Sequence, residues 1–210
     1  MSLTTGQEGL THSTRAREGQ AGVSPALEWL WQHLRDVRQP HILDCGPVSQ
    51  ATVDVLLRRG AKLYVADLVS PAQRGEVAYW DRSGRSALFR LEAFLAQVPN
   101  IPFGSLSAVF GWHLLDLLPR ESHPALINRL CSYLQPSGVL FCLLREPYLP
   151  KGYEAAWRLE SLTRLAPDRG GSKPFPYPAV SLREIERLLP CGGLKTFLAR
   201  SGHREVLAIK

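Results

Sequence analysis

The residues of this chain that could bind a ligand lie close together in His41–Leu68. Asp44 and Gly46 follow one short apolar run, and Asp67 follows a second. A carboxylate accepts hydrogen bonds, and a glycine lets a ligand approach the backbone because it has no β-carbon. If both runs are strands of one parallel sheet, these residues lie at the carboxyl ends of the strands, where doubly wound sheets bind nucleotide-like ligands.

A second candidate group is His113, which together with Trp112 follows the apolar segment Leu106–Gly111. An imidazole titrates near neutral pH, so His113 is a candidate general base. The alternative is a structural histidine packed beside Trp112. We expect His41, His123 and His203 to lie at element ends and turns.

The two acids would be positioned by one strand–helix–strand unit. Ile42–Cys45 is apolar, as expected of a strand that is buried on both faces. The spacing of apolar residues predicts a helix that begins near Gln50 and ends at Gly60, followed by a second strand over residues 63–66. A right-handed crossover would make the two strands parallel neighbours.

This unit resembles the first two motifs of class I S-adenosylmethionine-dependent methyltransferases. Those proteins have an apolar strand, a turn of the form D-x-G-x-G-x-G, and an acid after the next strand. Asp44, Gly46 and Asp67 match the pattern, whereas Val48 and Gln50 stand in place of the second and third glycines. The resemblance implies S-adenosylmethionine as cofactor, with Asp67 on the ribose hydroxyls and Gly46 facing the amino-acid portion. The Val48 side chain should then turn away from the pocket.

Later segments extend the resemblance to about Ser24–Lys210. IPFGSLSAVFGWHLLDLLP resembles the fourth-strand region, with Ser107 in place of the usual aspartate and Asp116 at the acidic position after the strand. We expect Trp112 and His113 to face the crevice there, and we assign Trp112 to cofactor binding and His113 to catalysis. The segment LCSYLQPSGVLFCLL resembles the following helix, turn and fifth strand, with the turn predicted at Gln135–Gly138 and the strand at Val139–Leu144.

The resemblance implies a doubly wound, mainly parallel Rossmann-like sheet of seven strands in the order 3-2-1-4-5-7-6, with the last strand antiparallel. Pro71–Arg85 contains no clear third strand, so we expect that strand to be short or missing. Ala87–Gln97 and Tyr153–Leu165 are predicted to be helical. The carboxyl-terminal elements are predicted to be a capped helix and a closing hairpin, at Ser181–Leu189, Leu194–Ala199 and Glu205–Ile209.

With 210 residues, the chain is expected to form one domain with appendages. Met1–Val23 is polar and is predicted to be a disordered tail, and Ser24-Pro25 is a typical helix start, so the domain should span residues 24–210. No apolar segment resembles a membrane span or a signal-peptide core, so we expect a cytoplasmic protein. The wide spacing of its cysteines predicts neither a disulfide nor a metal site; these are Cys45, Cys131, Cys142 and Cys191.

The formal net charge of +6 is unevenly distributed along the chain. Residues 145–210 hold 12 basic and 7 acidic side chains, whereas the remainder is nearly balanced. A basic carboxyl-terminal third could favour an acidic partner or nucleic acid. Because no basic run or aromatic-interleaved patch accompanies the charge, a solvated surface is the favoured interpretation.

Two functions remain open from the sequence. The first is an S-adenosylmethionine-dependent methyltransferase that transfers the methyl group in line to an unidentified acceptor, since holding donor and acceptor together can supply much of the rate. The second is a catalytically inactive relative that acts as a binding or scaffolding protein, which the missing glycines favour. Nicotinamide binding fits the same fold, but Gly46–Gln50 lacks the G-x-G-x-x-G pattern. Cofactor binding is favoured, because a scaffold need not retain Asp67.

Overall fold

The computed structural model describes residues 22–84, 87–147, 156–167, 175–189, 192–199 and 203–210. Its strands are β1 (Gly22–Val23), β2 (His41–Asp44), β3 (Lys62–Val65), β4 (Trp80–Asp81), β5 (Leu88–Phe89), β6 (Leu106–Trp112), β7 (Leu134–Arg145), β8 (Trp157–Ser161), β9 (Arg164–Pro167), β10 (Gly193–Leu198) and β11 (His203–Ile209). Its helices are α1 (Pro25–His33), α2 (Gln50–Arg58), α3 (Val69–Arg74), α4 (Leu91–Leu95), α5 (Leu114–Leu117), α6 (His123–Tyr133) and α7 (Leu182–Leu188).

The main sheet has six strands in the order β10-β11-β7-β6-β2-β3. β2 pairs in parallel with β3 and β6, and β6 pairs in parallel with β7. The last strand, β11, is antiparallel to both of its neighbours. This is the predicted strand order without its third strand, so the doubly wound, mainly parallel α/β fold is confirmed with six strands in the described sheet.

The segment that should carry the third strand does not join the main sheet. β4 pairs with β5 in a separate two-stranded ribbon, where the Trp80 and Phe89 rings meet edge to face with centroids 5.2 Å apart. The prediction of a helix over Ala87–Gln97 is therefore wrong at its start, because Leu88–Phe89 is a strand and the helix covers only Leu91–Leu95. The aromatic side chains favour ribbon pairing here over a first helical turn.

Helices connect the parallel strands in two directions. β2 leads through α2 to β3 at one edge of the sheet, whereas β6 leads through α6 to β7 in the opposite direction. Right-handed crossovers in opposite directions place α2 and α6 on opposite faces, as in doubly wound folds. The predicted end of α2 is also confirmed, since Gly60 adopts a left-handed φ of +80° that glycine tolerates without strain.

The first and last predicted helices both begin as expected. The Ser24 side chain caps α1 by accepting a hydrogen bond from the amide of Leu27 at 3.1 Å. At α7, Ser181 and Glu184 form a reciprocal capping box. The closing hairpin is confirmed as β10 and β11.

The fifth strand begins earlier than predicted. β7 starts at Leu134 and includes the predicted turn Gln135–Gly138, where Ser137 has a left-handed φ of +64°. Leu106 pairs with Leu134 and Ala108 with Val139, so the turn residues bulge out of a continuous strand. The turn chemistry was therefore identified correctly, but it deforms the strand locally and does not precede it.

The prediction of a helix over Tyr153–Leu165 is wrong. β8 and β9 form an antiparallel hairpin in its place, and β1 adds a third strand to it. Gly22 and Val23, which the sequence assigned to the tail, pair with Leu165 and Arg164. The rest of the predicted tail, residues 1–21, lies outside the described residues.

Hydrophobic side chains from the main sheet and its helices form one continuous core. Its largest fully buried members include Trp112, Phe94, Phe110 and Phe141. Three of the four cysteines are buried in this protein, namely Cys45, Cys131 and Cys142, whereas Cys191 lies outside the described residues. No helix within the described ranges has the length and apolar character needed to cross a membrane.

Candidate functional site

The structure brings the two predicted acids together at the carboxyl ends of adjacent parallel strands. Asp44 ends β2, and its backbone carbonyl accepts a hydrogen bond from the amide of Ala66 at 2.9 Å. Asp67 follows β3, is half-buried, and accepts a hydrogen bond through Oδ1 from the amide of Ser70 at 2.8 Å. This bond orients the Asp67 carboxylate at the start of α3.

Asp44 is held by two donors on one carboxylate oxygen. Its Oδ1 accepts a hydrogen bond from the amide of Gly46 at 2.9 Å and another from the indole Nε1 of Trp112 at 2.6 Å. Burial raises the pKa of Asp44 from 3.8 to about 6, against the opposing effect of these two hydrogen bonds. The nearby charge of Asp67 raises it further. The site therefore contains an acid that titrates close to neutral pH.

Trp112 ends β6, and its buried indole fills the space beside Gly46. A β-carbon added to Gly46 would lie 2.5 Å from Trp112 Nε1 and 2.8 Å from Cδ1. Trp112 is 1% exposed, and its ring contacts those of Phe110 and Phe141 at centroid distances of 5.8 and 6.0 Å. Gly46 is thus required in this conformation because the indole packs against its α-carbon.

Val48 stands where the family pattern has its second glycine. Its side chain is 71% exposed, which agrees with the expectation that it turns away from the site. α2 then begins at Gln50, the other position at which a glycine is replaced. Val48 and Gln50 are both exposed, so neither of the two replaced glycine positions places a side chain against Gly46.

The residues at this edge fit S-adenosylmethionine in chemical type. Asp67 and Asp44 supply carboxylates for hydroxyl and amino groups, and the turn at Gly46 supplies a backbone surface without a β-carbon. The space beside Gly46 is occupied by the Trp112 indole, which covers that backbone surface. Movement of one side chain would uncover it.

His113 forms a buried pair with Asp116. His113 Nδ1 lies 2.9 Å from Asp116 Oδ2, and both side chains have zero exposure. The same carboxylate oxygen accepts a hydrogen bond from the backbone amide of Arg145 at 2.7 Å. An ionised carboxylate can only accept, so with Asp116 ionised the Nδ1 of His113 is the donor of this pair and Nε2 is the ring nitrogen that the pair does not use.

Aromatic side chains and a second histidine surround this pair. The His113 ring lies 5.3 Å from that of Phe175 and 6.2 Å from that of His203, and the Trp157 ring lies 4.6 Å from that of His203. Burial, followed by the proximity of His113, lowers the pKa of His203 to about 3. His203 is therefore neutral at physiological pH.

The β8–β9 hairpin covers the carboxyl-terminal edge of the sheet. Trp157 contacts His203, and the amide of Leu159 donates a hydrogen bond at 3.0 Å to the Thr52 hydroxyl in the first turns of α2. Farther along, the amide of Ser24 donates to the carbonyl of Thr163 at 2.8 Å. The hairpin thus contacts the start of α2, the residue that caps α1 and the first residue of β11.

Several of these relationships could not be predicted from the sequence. The i,i+3 spacing of His113 and Asp116 is a local signal of this pair, whereas the family resemblance points only to Asp116, as the acid after the strand. His203 begins β11, in agreement with its expected place at an element end, but the sequence did not predict its burial beside His113. Nothing in the sequence indicated that the Trp112 indole would bond to Asp44, which precedes it by 68 residues.

Three further features contribute no candidate chemistry. A small pocket has a wholly hydrophobic lining of Leu115, Leu140, Cys142, Leu144, Ile185, Leu189, Val206 and Ala208. Within the described ranges, no three side chains of the ligating types cluster closely enough to hold a metal ion. Among the described basic side chains of the carboxyl-terminal third, Arg164 pairs with Glu160 and Arg204 pairs with Glu146.

Comparison with known proteins gives a structural likeness without a sequence match. No family model matches the chain, and no curated protein matches it. Among solved structures, a SAM-dependent methyltransferase from Methanosarcina mazei superposes with a TM-score of 0.50 at 16% identity, over 90% of this chain and 98% of that one.

Two further methyltransferases have lower TM-scores. One is the 1,6-didemethyltoxoflavin-N1-methyltransferase of Burkholderia thailandensis, solved with 1,6-didemethyltoxoflavin and S-adenosylhomocysteine (TM-score 0.48, 14% identity, 89% of this chain and 76% of that one). The other is an S-adenosylmethionine-dependent methyltransferase from Mesorhizobium loti (0.42, 14%, 89% and 99%). On the strand order and the Methanosarcina mazei superposition, this chain has the fold of the S-adenosylmethionine-dependent methyltransferases.

Proposed function

We propose that this protein is an S-adenosylmethionine-dependent methyltransferase. The observation that carries the proposal is the placement of Asp44 and Asp67 at the carboxyl ends of the neighbouring strands β2 and β3. In a doubly wound fold this edge is where nucleotide-like ligands bind. A chain that had kept only the fold would have no need of an acid at both positions.

In this proposal Asp67 binds the ribose. Its Oδ1 is oriented by Ser70, and its carboxylate accepts hydrogen bonds from the two ribose hydroxyls. Asp44 and the Gly46 backbone form the surface for the amino-acid portion. When bound, the cofactor supplies a methyl group already activated by its sulfonium, so the protein contributes mainly positioning.

His113 is the general base of the proposal for an oxygen or nitrogen acceptor. Asp116 holds the ring through Nδ1, so Nε2 is the basic nitrogen that would receive the proton of the acceptor. Because His113 is fully buried, an acceptor reaches it only after a covering side chain such as Phe175 moves aside. The chemical identity of the acceptor is left open by this proposal.

A specific observation favours a second candidate, a catalytically inactive binding or scaffolding protein. The Trp112 indole packs against Gly46 and bonds to Asp44, which makes the turn self-contained. A protein that no longer bound the cofactor could use this arrangement to stabilise its core. The two candidates differ in whether the protein binds S-adenosylmethionine.

Calorimetric titration with S-adenosylmethionine, and separately with S-adenosylhomocysteine, tests the proposal. We expect binding by the parent and a loss of about 1–3 kcal/mol of binding free energy in Asp67→Ala, the scale for hydrogen bonds to a charged group. Asp81→Ala is the matched control, because Asp81 also accepts a bond from a backbone amide, that of Ser83, but lies on the exposed ribbon.

A third variant separates binding from catalysis. His113→Asn should bind the cofactor as the parent does, but should fail to transfer labelled methyl groups to any acceptor on which the parent acts. Absence of binding heat in both the parent and a variant with the indole removed would favour the inactive candidate. Equal affinities of Asp67→Ala and the parent would show that Asp67 does not bind the ribose.

A further inference from the structure

Trp112 has a backbone conformation that is unusual for its residue type. Its φ of +48° places it in the left-handed region, and among the described non-glycine residues only Ser137 shares a positive φ. Large L-residues adopt this region at a cost in conformational energy, and such residues concentrate at functional sites and switches. The strain lies at the end of β6, where pairing with β7 shifts register between Phe110 and Trp112.

The strained backbone directs the indole into the turn that follows β2. The ring lies against Gly46, and its Nε1 donates to Asp44. The indole thereby covers the Gly46 backbone and bonds to the Asp44 carboxylate. These are the two groups to which the proposed function assigns the amino-acid portion of the cofactor. The indole N–H takes the place of a donor that a ligand would bring to Asp44.

We propose that Trp112 is a gate: its indole closes the S-adenosylmethionine site in this conformation and must leave Gly46 and Asp44 before the cofactor binds. This inference rests on the proposed function and adds a regulatory device to it. The closed state is held by the hydrogen bond to Asp44 and by packing against Phe110 and Phe141. Opening is favoured because it would let the Trp112 backbone leave the left-handed region and so remove its conformational cost.

The position of Trp112 in the chain suits such a movement. Gly111 precedes it, and the short helix α5 begins two residues later. Trp112 and Cys142 form the last pair between β6 and β7, so rotation at Trp112 would break the pairing only at this end of the strand. Asp44 would lose one of its two donors on opening and retain the amide of Gly46. A bound ligand would supply the missing partner, which couples opening to binding.

With a gate of this kind, the apparent association constant for the cofactor equals the intrinsic constant multiplied by the fraction of molecules that are open. If roughly 1–10% of the molecules are open, the parent should bind about 10- to 100-fold more weakly than a permanently open variant. Trp112→Ala removes the ring and its N–H, and so represents the open state. Trp112→Phe keeps a ring but lacks the donor to Asp44 and should fall between the two.

The test is calorimetric titration of S-adenosylmethionine into the parent, Trp112→Ala, Trp112→Phe and Trp29→Ala. Trp29→Ala is the control, because Trp29 lies on α1, where it stacks on His33. We expect tighter binding by roughly 10- to 100-fold in Trp112→Ala, a smaller gain in Trp112→Phe, and parental affinity in Trp29→Ala. Thermal unfolding of each variant verifies that it is folded. If Trp112→Ala does not fold, the affinity of Trp112→Phe relative to the parent is the test.

Tryptophan fluorescence gives a second readout that does not depend on affinity. Saturation of the parent with S-adenosylmethionine should shift its emission to the red and increase quenching by acrylamide, because the Trp112 indole leaves its buried position. Trp112→Phe should lack this change. Equal affinity in the parent and both Trp112 variants would overturn the gate and leave the proposed function intact, whereas absence of binding by every folded variant would overturn both.

Discussion

The Asp44 carboxyl group is buried at 2% exposure and yet lies beside a second acid. Two N–H donors on Oδ1 compensate part of the cost of removing a carboxylate from water, but burial outweighs them. The result is an acid with a pKa of about 6 at the centre of the proposed cofactor site. Ionisation of Asp44 therefore affects both the stability of the fold and the charge that a ligand meets.

This shift predicts a pH-dependent stability that Asp44→Asn should remove. The pKa of Asp44 is higher in the folded protein, about 6, than the ordinary 3.8, so its contribution is complete below pH 3.8 and is lost as the pH rises through 6. The parent should lose about 2–3 kcal/mol of unfolding free energy from this group between pH 4 and pH 7. Asparagine does not titrate, but its oxygen can still accept both hydrogen bonds.

Urea unfolding of the parent and of Asp44→Asn at pH 4 and pH 7 measures this effect. The difference between the two proteins, rather than either profile alone, isolates Asp44, because His203 and the other titrating groups are common to both. The unfolding free energy of Asp44→Asn should increase relative to that of the parent as the pH rises. Parallel pH profiles would show that Asp44 has an ordinary pKa in the folded protein.

At the scale of elements, α1 is attached to the sheet through one buried glutamate. Glu205 on β11 accepts hydrogen bonds through Oε2 from the Ser24 hydroxyl at 2.8 Å and from the amide of Ala26 at 2.9 Å. The carboxylate thus binds the amino-terminal end of α1, where backbone N–H groups have no partner within the helix. Burial raises the pKa of Glu205, while these two bonds lower it.

We predict that Glu205→Ala destabilises the protein by about 1–3 kcal/mol, because it leaves the Ser24 hydroxyl and the Ala26 amide buried without their acceptor. Glu205→Gln is the matched variant, since its amide oxygen can accept the same bonds, and it should retain most of the parental stability. Chemical denaturation at one pH gives both values. Similar losses in the two variants would mean that the charge of Glu205, rather than its acceptor geometry, stabilises α1.

The β8–β9 hairpin illustrates why some elements were predicted incorrectly. The residues of Tyr153–Leu165 permit a helical stripe, and propensity alone does not decide between helix and strand for so short a segment. In the structure, β9 pairs with β1, and Leu159 bonds to Thr52 on α2. Pairing with residues more than a hundred positions away outweighed the local preference.

At the scale of the whole molecule, the boundary of the domain can be tested by truncation. The sequence predicts a disordered tail over Met1–Val23, whereas Gly22 and Val23 pair with β9, and Ser24 bonds to both Thr163 and Glu205. We predict that deletion of residues 1–21 leaves the unfolding free energy unchanged. Deletion of residues 1–24 should lower it by at least about 1–2 kcal/mol, the scale of a lost helix cap.

Thermal or urea unfolding of the two truncated proteins and the full chain gives the comparison. Intact stability after removal of Ser24 would show that the cap and its bond to Glu205 are dispensable. Destabilisation by the shorter deletion would instead show that residues before Gly22 contribute to the fold. The prediction of the tail would then be wrong over its whole length.

The sequence by itself determined those features that depend on neighbours a few residues away. The α2 start and its stop at Gly60 and the Ser24 and Ser181 caps followed from the apolar period and the turn residues. The strand order followed from the resemblance to the methyltransferase family. The positions of Asp44 and Asp67 at one edge followed as well, because parallel strands place their carboxyl ends together.

Only the tertiary structure decided what surrounds those acids. The Trp112 indole reaches Asp44 across 68 positions of sequence, and His203 packs beside His113 from the far end of the chain. Such contacts depend on the direction of a side chain at the end of a strand, which changes with a single backbone angle such as the φ of +48° at Trp112. No periodicity records that angle, because it arises from packing between strands that are adjacent in space and distant in sequence.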